Sequence, residues 1–200
     1  MSEFVRFPRT PHLEWLGSSV PRGDKVMTPA DAQAFLSGPV IVEEKIDGAN
    51  LGISVDANGQ LRLQNRGSYL SWQTMHPQFA PLKQWLSARR ERLLNTLTPG
   101  LILFGEWCYA RHSVRYTRLP DWFVAFDVYD GNRERFWSVE RRNELLEQVG
   151  ASQVPEVARG QFTLREARAL LGPSQFADVP AEGIYLRREA GGFLEQRAKL

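Results

Sequence analysis

The chain has 200 residues, and 25 lysine and arginine residues against 23 aspartate and glutamate residues give a formal net charge of +2. This balance excludes a histone-like polycation, and the length suits one large domain or one domain with a small appendage. A single cysteine, Cys108, excludes an intramolecular disulfide framework and favours a reducing compartment. No apolar run approaches the ~20 residues that span a bilayer, and the N-terminus lacks the apolar core of a secretory signal. We therefore predict a cytoplasmic protein without a membrane partner.

The elements can be predicted from caps, turn signals and the spacing of apolar residues. Thr28 before Pro29 predicts a helix start, Asn58-Gly59 predicts a hairpin turn, and residues 163–166 form a capping box. In chain order we predict a helix at 29–36, strands at 40–46, 51–56 and 60–66, a helix at 78–97, strands at 101–104 and 122–126, helices at 138–148 and from 163 to about 171, and strands at 183–188 and 193–200.

Hairpins mixed with separate helices predict an α+β fold with antiparallel sheets, not the alternating strand and helix order of a parallel sheet. The sequence contains no internal repeat and no convincing linker, so we predict one domain over residues 1–200. Residues 1–38 would form an N-terminal arm and a short helix, and residues 39–200 the core. Within the arm, residues 8–12 (PRTPH) read as an extended surface segment.

The most informative segment for function is the heptad EKIDGAN at residues 44–50, directly after an apolar strand. Lys45 stands at the end of that strand, before a tight turn at Asp47-Gly48. This arrangement suits nucleophilic attack on a nucleotide, because the amine is held at one point and the glycine lets the backbone approach a phosphate. Taken alone, the pattern is more typical of a hairpin turn with an exposed lysine, so the interpretation depends on the later segments.

Four later segments place charged or aromatic residues in or beside predicted strands, namely Glu106, Phe126-Asp127, Glu182-Gly183 and Arg197-Ala198-Lys199. Glu106 lies within an apolar strand, where an unpaired carboxylate would be costly. Arg197 and Lys199 would share one face of a strand, because side chains alternate with period two. Each segment alone has an ordinary structural explanation: a salt bridge, core packing, a solvated turn or a solvated face.

In this order, the segments resemble the motifs of the covalent nucleotidyltransferase superfamily, which contains ATP-dependent RNA and DNA ligases and mRNA capping enzymes. The closest resemblance is to the RNA ligase family that contains the phage nick-sealing ligase, because Asn50 at the end of the heptad is typical of that branch. After the heptad, the motifs are matched by Asn65-Arg66-Gly67, Phe104-Gly105-Glu106, Phe126-Asp127, Glu182-Gly183 and Arg197-Ala198-Lys199. The family commonly has lysine where Arg197 stands. Because the guanidinium of arginine is a broad planar group and not a point charge, Lys199 is the safer assignment for the catalytic cation of this last motif.

The resemblance implies an adenylyltransferase domain of antiparallel sheets flanked by helices, with a nucleotide pocket between the sheets. It further implies an ATP-dependent RNA ligase. Lys45 would form lysine–AMP, Phe126 would stack on adenine, Glu106 would contact the ribose and Glu44 would read the adenine amino group. The implied catalytic residues are Lys45, Asp47, Asn50, Arg197 and Lys199; the ATP-binding residues are Glu44, Arg66, Glu106, Phe126 and Lys199; the metal ligand is Glu182, for Mg²⁺ or alternatively Mn²⁺.

The implied partners are ATP and RNA with 5′-phosphate and 3′-hydroxyl ends, with DNA as an alternative substrate and a monomer as the favoured state. A DNA ligase, a capping-type nucleotidyltransferase and a non-catalytic nucleic-acid-binding module remain as alternatives. Family members usually carry an additional domain that grips the nucleic acid. We therefore expect this chain to form lysine–AMP readily, but to join RNA ends poorly and with steep salt sensitivity.

Overall fold

The computed structural model describes residues 4–18 and 23–200. Its elements, in chain order, are α1 (Pro29–Leu36), β1 (Val40–Glu44), β2 (Ala49–Val55), β3 (Leu61–Gln64), α2 (Leu82–Thr96), β4 (Leu101–Trp107), β5 (Phe123–Asp130), β6 (Arg135–Phe136), α3 (Val139–Val149), β7 (Ser152–Gln153), β8 (Glu156–Gly160), α4 (Leu164–Ala169), β9 (Ile184–Ala190) and β10 (Phe193–Lys199). None of the helices in these ranges is both long and apolar enough to cross a membrane.

The strands form two sheets. One has four strands in the order β10-β9-β1-β8; the other follows the order β3-β2-β4-β5-β6, with β7 paired to β5. Among the described strands, β5 and β7 are parallel and the other pairs are antiparallel. The predicted α+β fold with antiparallel sheets is therefore confirmed.

The chain divides into two compact units, each of which contains one sheet. Unit 1 comprises the residues up to Phe7, Asp47–His112 and Pro120–Gln153, and contains the six-stranded sheet. Unit 2 comprises Pro8–Ile46, Ser113–Leu119 and Val154–Leu200, and contains the four-stranded sheet. The assignment of residues 1–200 to one domain stays a prediction.

The core of unit 1 lies between one face of its sheet and the helices α2 and α3. Ile53 of β2 is fully buried in the same apolar cluster as Leu103 of β4, Leu93 of α2 and Leu146 of α3. Alternate strand residues point to this core because side chains in a strand alternate between two faces. Helix α2 begins at Leu82 and not at residue 78, since Pro81 has no N–H with which to continue a helix through it.

The core of unit 2 is built on the central strand β1, which is buried along its whole length. Val40 and Val42 pack with Phe35 of α1, Leu186 of β9 and Ala198 of β10. Strand β8 pairs with β1 at the edge of the sheet, and its side chains are exposed or half-buried. Strand β8 was not predicted, because an edge strand with the sequence EVARG carries no apolar periodicity.

Candidate active site

Strand β1 places Lys45 at its carboxyl end, within unit 2. The backbone N–H of Lys45 donates to the carbonyl of Gly183 at 3.0 Å. The Lys45 Nζ forms an ion pair with the carboxylate of Glu182, and the two side chains are 31% and 30% exposed. The candidate nucleophile and the candidate metal ligand are thus in direct contact.

Gly183 holds this arrangement because a larger residue would not fit. A Cβ atom at Gly183 would overlap the carbonyl oxygen of Leu200. That oxygen is fixed, since Leu200 and Ile184 exchange two backbone hydrogen bonds, of 2.8 and 2.9 Å. Glycine at position 183 therefore allows the segment after Glu182 to pass close to the end of the chain.

Glu44, which precedes the nucleophile, is buried and anchors a loop of unit 2. Its carboxylate accepts hydrogen bonds from Ser174 Oγ at 2.5 Å and from the backbone N–H of Gln175 at 2.8 Å. Ser174 Oγ in turn accepts from the backbone N–H of Phe176 at 3.0 Å. Both Glu44 oxygens thus have a partner inside the protein, and the reading of adenine by Glu44 stays a prediction.

A buried charged group that the sequence analysis missed lies in the same sheet. Arg187 of β9 is fully buried, and its Nε donates to Glu189 Oε1 at 2.7 Å. Its Nη1 lies 3.7 Å from Glu43 Oε2, and Glu43 is 1% exposed. The available signal was that Arg187 directly follows the apolar run Ile184-Tyr185-Leu186, where a buried cation needs an anionic partner.

Strand β10 carries Arg197 and Lys199 on the face opposite the buried Ala198. The N-terminal arm pairs with this strand: Leu13 N–H donates to Lys199 O at 2.8 Å, and Lys199 N–H donates to Pro11 O at 3.0 Å. Residues 8–11 belong to no helix or strand, and His12 forms isolated bridges with Val26 and Lys199. They are more than a surface segment, however, because their end hydrogen-bonds to the residue that carries a candidate catalytic side chain.

In unit 1, Asn50 and Glu106 lie directly opposite each other in the β2–β4 pair. Residues that face each other in this way point to the same side of a sheet, so the structure brings these two predicted site residues together. Asn50 Oδ1 is buried and has no hydrogen-bond partner among the described residues.

Phe126 occupies a β-bulge. In the β4–β5 pair Phe104 opposes Asp127 and Gly105 opposes Ala125, so Phe126 is the extra residue of β5. Bulges re-aim side chains and are common next to active sites. A Cβ atom at Gly105 would lie 2.5 Å from the ring of Phe123, so a glycine is needed opposite the bulge.

The Phe126 ring and backbone are held from two sides. Its ring meets the ring of Phe7 in an edge-to-face contact, with the centroids 5.1 Å apart, and is partly buried. Its carbonyl accepts a 2.8 Å hydrogen bond from Nη1 of the buried Arg142. Phe126 is therefore a fixed aromatic group at the rim of a core, not a fully buried core residue.

The turn at Asp47-Gly48 packs against the end of β4. A Cβ atom at Gly48 would lie 2.9 Å from Trp107 O and 3.0 Å from Cys108 Sγ, so this glycine is required for close packing of the chain. Burial, together with the charges of Glu106 and Asp47, raises the pKa of the Cys108 thiol. Asp47 and Glu106 therefore both lie near Cys108.

Arg66 lies in an exposed loop shaped by Asn65, whose Oδ1 accepts from the backbone N–H groups of Gly67 at 2.8 Å and Ser68 at 2.9 Å. This loop borders a cleft of about 420 Å³ in unit 1. Asn50 and Arg66 both line the cleft, together with Tyr69 and His76. Two predicted site residues thus share one cleft.

The described residues contain no group of three or more histidine, cysteine, aspartate and glutamate side chains that could hold a metal ion by themselves. A lone carboxylate such as Glu182 suits Mg²⁺ or Mn²⁺ bound together with substrate phosphates, because Mg²⁺ usually keeps several waters and takes one or two protein carboxylates. The residues present therefore fit a metal that arrives with a nucleotide.

Solved structures of Naegleria gruberi RNA ligase share this fold. A mutant of that ligase with ATP and Mn matches at a TM-score of 0.70 and 19% identity, over 99% of this chain and 57% of that chain. The ligase with PPi matches at 0.66 and 20% identity, over 83% and 50% of the two chains. A further mutant, with AMP and Mn, matches at 0.67 and 16% identity, over 98% and 55%. The chain thus spans about half the length of these relatives.

The curated protein sequences contain no match to this chain. A family model described as RNA ligase matches residues 38–200. The matched region contains every predicted site residue, from Glu44 to Lys199. Because the match covers most of its length, the chain belongs to the RNA ligase family.

Proposed function

We propose that this protein is an ATP-dependent RNA ligase that works through a covalent AMP adduct on Lys45. The observation that supports the proposal most directly is the ion pair between Lys45 and Glu182. These residues stand at the positions that resemble the family's nucleophile and metal motifs. Pairing of β1 with β9 brings the two segments together, and at the end of this pair the Lys45 and Glu182 side chains are in direct contact.

In the first step, the Lys45 nitrogen would form a bond to the α-phosphorus of ATP. The bond from that phosphorus to the oxygen bridging to the β-phosphate would break, and pyrophosphate would leave. The amine must lose a proton before it attacks, and its side chain is 31% exposed, so the proton can pass to solvent. Lys199 and Arg197 would offset the negative charge that develops on the phosphate.

Glu182 has two roles in this proposal. In the protein without nucleotide its carboxylate pairs with the Lys45 ammonium. When ATP is present the carboxylate would instead hold Mg²⁺ or Mn²⁺, which neutralises phosphate charge. The exchange would also free the Lys45 amine from its anionic partner.

The nucleoside of ATP would be bound by unit 1. Phe126 would stack on adenine, since an aromatic ring can stack on a base without any specific hydrogen bond. Glu106 would accept a hydrogen bond from a ribose hydroxyl. The pairing of Glu106 with Asn50 supports the role of Glu106, because it holds this residue next to the Asp47-Gly48 turn. The bulge supports the role of Phe126, because it sets the direction of this side chain on the neighbouring strand.

In the later steps, AMP would pass from Lys45 to the 5′-phosphate of an RNA end. A 3′-hydroxyl would then attack that phosphate, form the phosphodiester bond and release AMP. Asn50 and Arg66 are the residues we propose for contact with the RNA end, since they line one cleft of unit 1 and Arg66 is exposed. Asp47 would orient the turn between the nucleophile and Asn50.

The deciding experiment is incubation with Mg²⁺ or Mn²⁺ and ATP labelled at the α-phosphate, followed by a denaturing gel. The wild-type chain should carry label, and Lys45→Ala should carry none. Lys83→Ala is the matched control, because Lys83 is an exposed lysine of α2. A wild-type chain that takes no label with either metal, or a Lys45→Ala variant that keeps it, would overturn the proposal in favour of a binding module or another nucleophile.

A further inference from the structure

A cluster of three charged or ionisable side chains lies at the end of β10, outside the contacts described so far. His12 Nε2 is 3.1 Å from Asp24 Oδ2, and Lys199 Nζ is 3.7 Å from the same oxygen. His12 and Asp24 precede residues 38–200, which the family model matches. The cluster therefore joins a segment outside the matched region to a candidate catalytic lysine.

Backbone hydrogen bonds hold His12, Lys199 and the residue that follows Asp24. His12 N–H donates to Lys25 O at 2.7 Å, and Met27 N–H donates to His12 O at 2.8 Å. On its other side the same segment pairs with β10, through the hydrogen bonds that join Leu13 and Pro11 to Lys199. Residues 11–13 thus lie beside Lys199 at the edge of the sheet, and residues 25–27 lie beside His12. These backbone hydrogen bonds keep the segments that carry His12 and Asp24 beside Lys199, so the side chains are already close to one another.

The charges around Asp24 keep it ionised. The hydrogen bond with His12 lowers the pKa of Asp24, and the positive charges of Lys199, His12 and Arg9 act in the same direction. Arg9 is itself held, since its Nη1 donates to Gly23 O at 2.5 Å. At neutral pH Lys199 therefore faces a carboxylate and not a neutral acid.

We propose that Asp24, oriented by His12, is a positioning residue that holds the Lys199 ammonium ready for the phosphates of ATP. The inference rests on the proposed function, in which Lys199 acts on the nucleotide. A lysine has a flexible four-carbon stem, and ordering it before the ligand arrives removes part of the entropy cost of binding. Asp24 itself need not touch the nucleotide.

The first test measures ATP affinity in a Lys45→Ala background, where no covalent adduct can form. Asp24→Asn keeps the size of the side chain and an acceptor for His12, but removes the charge. We expect ATP to bind about tenfold more weakly, as for loss of one charge-assisted contact. Asp24→Glu should recover part of the affinity. Asp31→Asn is the control, since Asp31 lies in the same region and accepts from the Thr28 hydroxyl.

The second test asks whether Asp24 acts through Lys199. In a double-mutant cycle with Lys199→Met, the effect of Asp24→Asn should disappear, because there is no ammonium left to position. Additive effects would overturn the inference, and so would unchanged or tighter ATP binding in Asp24→Asn. The melting temperatures of all variants show that the fold is kept.

The two proposals fail in different ways. If the wild-type chain forms no labelled adduct, the proposed function fails. If the wild-type chain is labelled and Asp24→Asn has a wild-type KM for ATP and a wild-type rate of labelling, only the role of Asp24 fails. A raised KM with a nearly unchanged rate at saturating ATP is the expected result for a residue that positions a binding group.

Discussion

Lys45 and Glu182 form an ion pair across 137 residues of sequence. The contact depends on two features of the backbone: the hydrogen bond from Lys45 N–H to Gly183 O, and the absence of a side chain at Gly183. It places the candidate nucleophile beside a carboxylate, which can both balance its charge and bind a hard metal ion.

Removal of the Glu182 carboxylate should impair chemistry without unfolding the protein. We expect Glu182→Gln to slow labelling by about 100-fold or more, since a metal-bound phosphate contributes several kcal/mol of charge stabilisation. The melting temperature should change little because the side chain is 30% exposed. The control is Glu91→Gln, on an exposed position of α2. A near-normal rate of labelling at ordinary metal concentrations would show that Glu182 does not bind the metal and is an ordinary turn residue.

Loss of the Phe126 ring should weaken nucleotide binding. We expect Phe126→Ala to reduce ATP affinity by roughly 1–3 kcal/mol, as for the loss of stacking on a base. Phe136→Ala is the matched control, because Phe136 packs on the same Phe7 ring, at 5.5 Å between centroids, but has no proposed contact with ATP. Calorimetry measures the ATP affinity of both folded variants. Equal losses of affinity would show that Phe126 acts by packing in the core and not by stacking on adenine.

A methyl group at Gly183 should disturb both stability and the Lys45–Glu182 contact. The added Cβ would overlap the fixed Leu200 carbonyl, so we expect Gly183→Ala to lower the free energy of unfolding by about 1–3 kcal/mol. Gly172→Ala is the control, because its nearest contact would be Leu170 O at 3.9 Å. Denaturant unfolding measures the change, and a Gly183→Ala variant as stable as Gly172→Ala would contradict the packing argument.

Cys108 should make stability fall at alkaline pH. Burial raises the pKa of its thiol in the folded protein above the ordinary value of 9.0. The unfolded chain therefore loses this proton first as the pH rises, and the folded state loses stability above about pH 9, by up to ~1.4 kcal/mol per pH unit. Below that pH the contribution is fully present.

Unfolding measurements between pH 8 and 10 check this prediction, with Cys108→Ala as the comparison that should lack this part of the slope. Thiol reagents at pH 8 offer a second measurement, because a thiol must ionise to react. Rapid labelling of Cys108 in the native protein, at the rate seen in denaturant, would show that the thiol is accessible and its pKa ordinary.

Much of the architecture could be predicted because its signals are local. The helix that begins after Thr28 and the helix that begins after Thr163 were predicted from their caps, and both residues accept the expected hydrogen bond from a backbone N–H. The antiparallel sheets followed from turn signals between apolar strands. The RNA ligase family was also recognised from the sequence. Each motif, beginning with the heptad at residues 44–50, is a run of neighbouring residues, and the motifs follow one another in the family's order.

The sequence by itself determined which residue types stand beside which turns: Lys45 at a strand end, Glu106 in an apolar strand, Lys199 in the last strand. Only the tertiary structure decided which side chains these residues contact. Strand register, β-bulges and close backbone contacts depend on pairing between segments that are distant in the sequence. No local pattern marks Phe126 as the extra residue of a bulge, or pairs Asp24 with Lys199. Caps and periodicity act within a few residues, whereas these contacts form only after the two sheets have paired their strands.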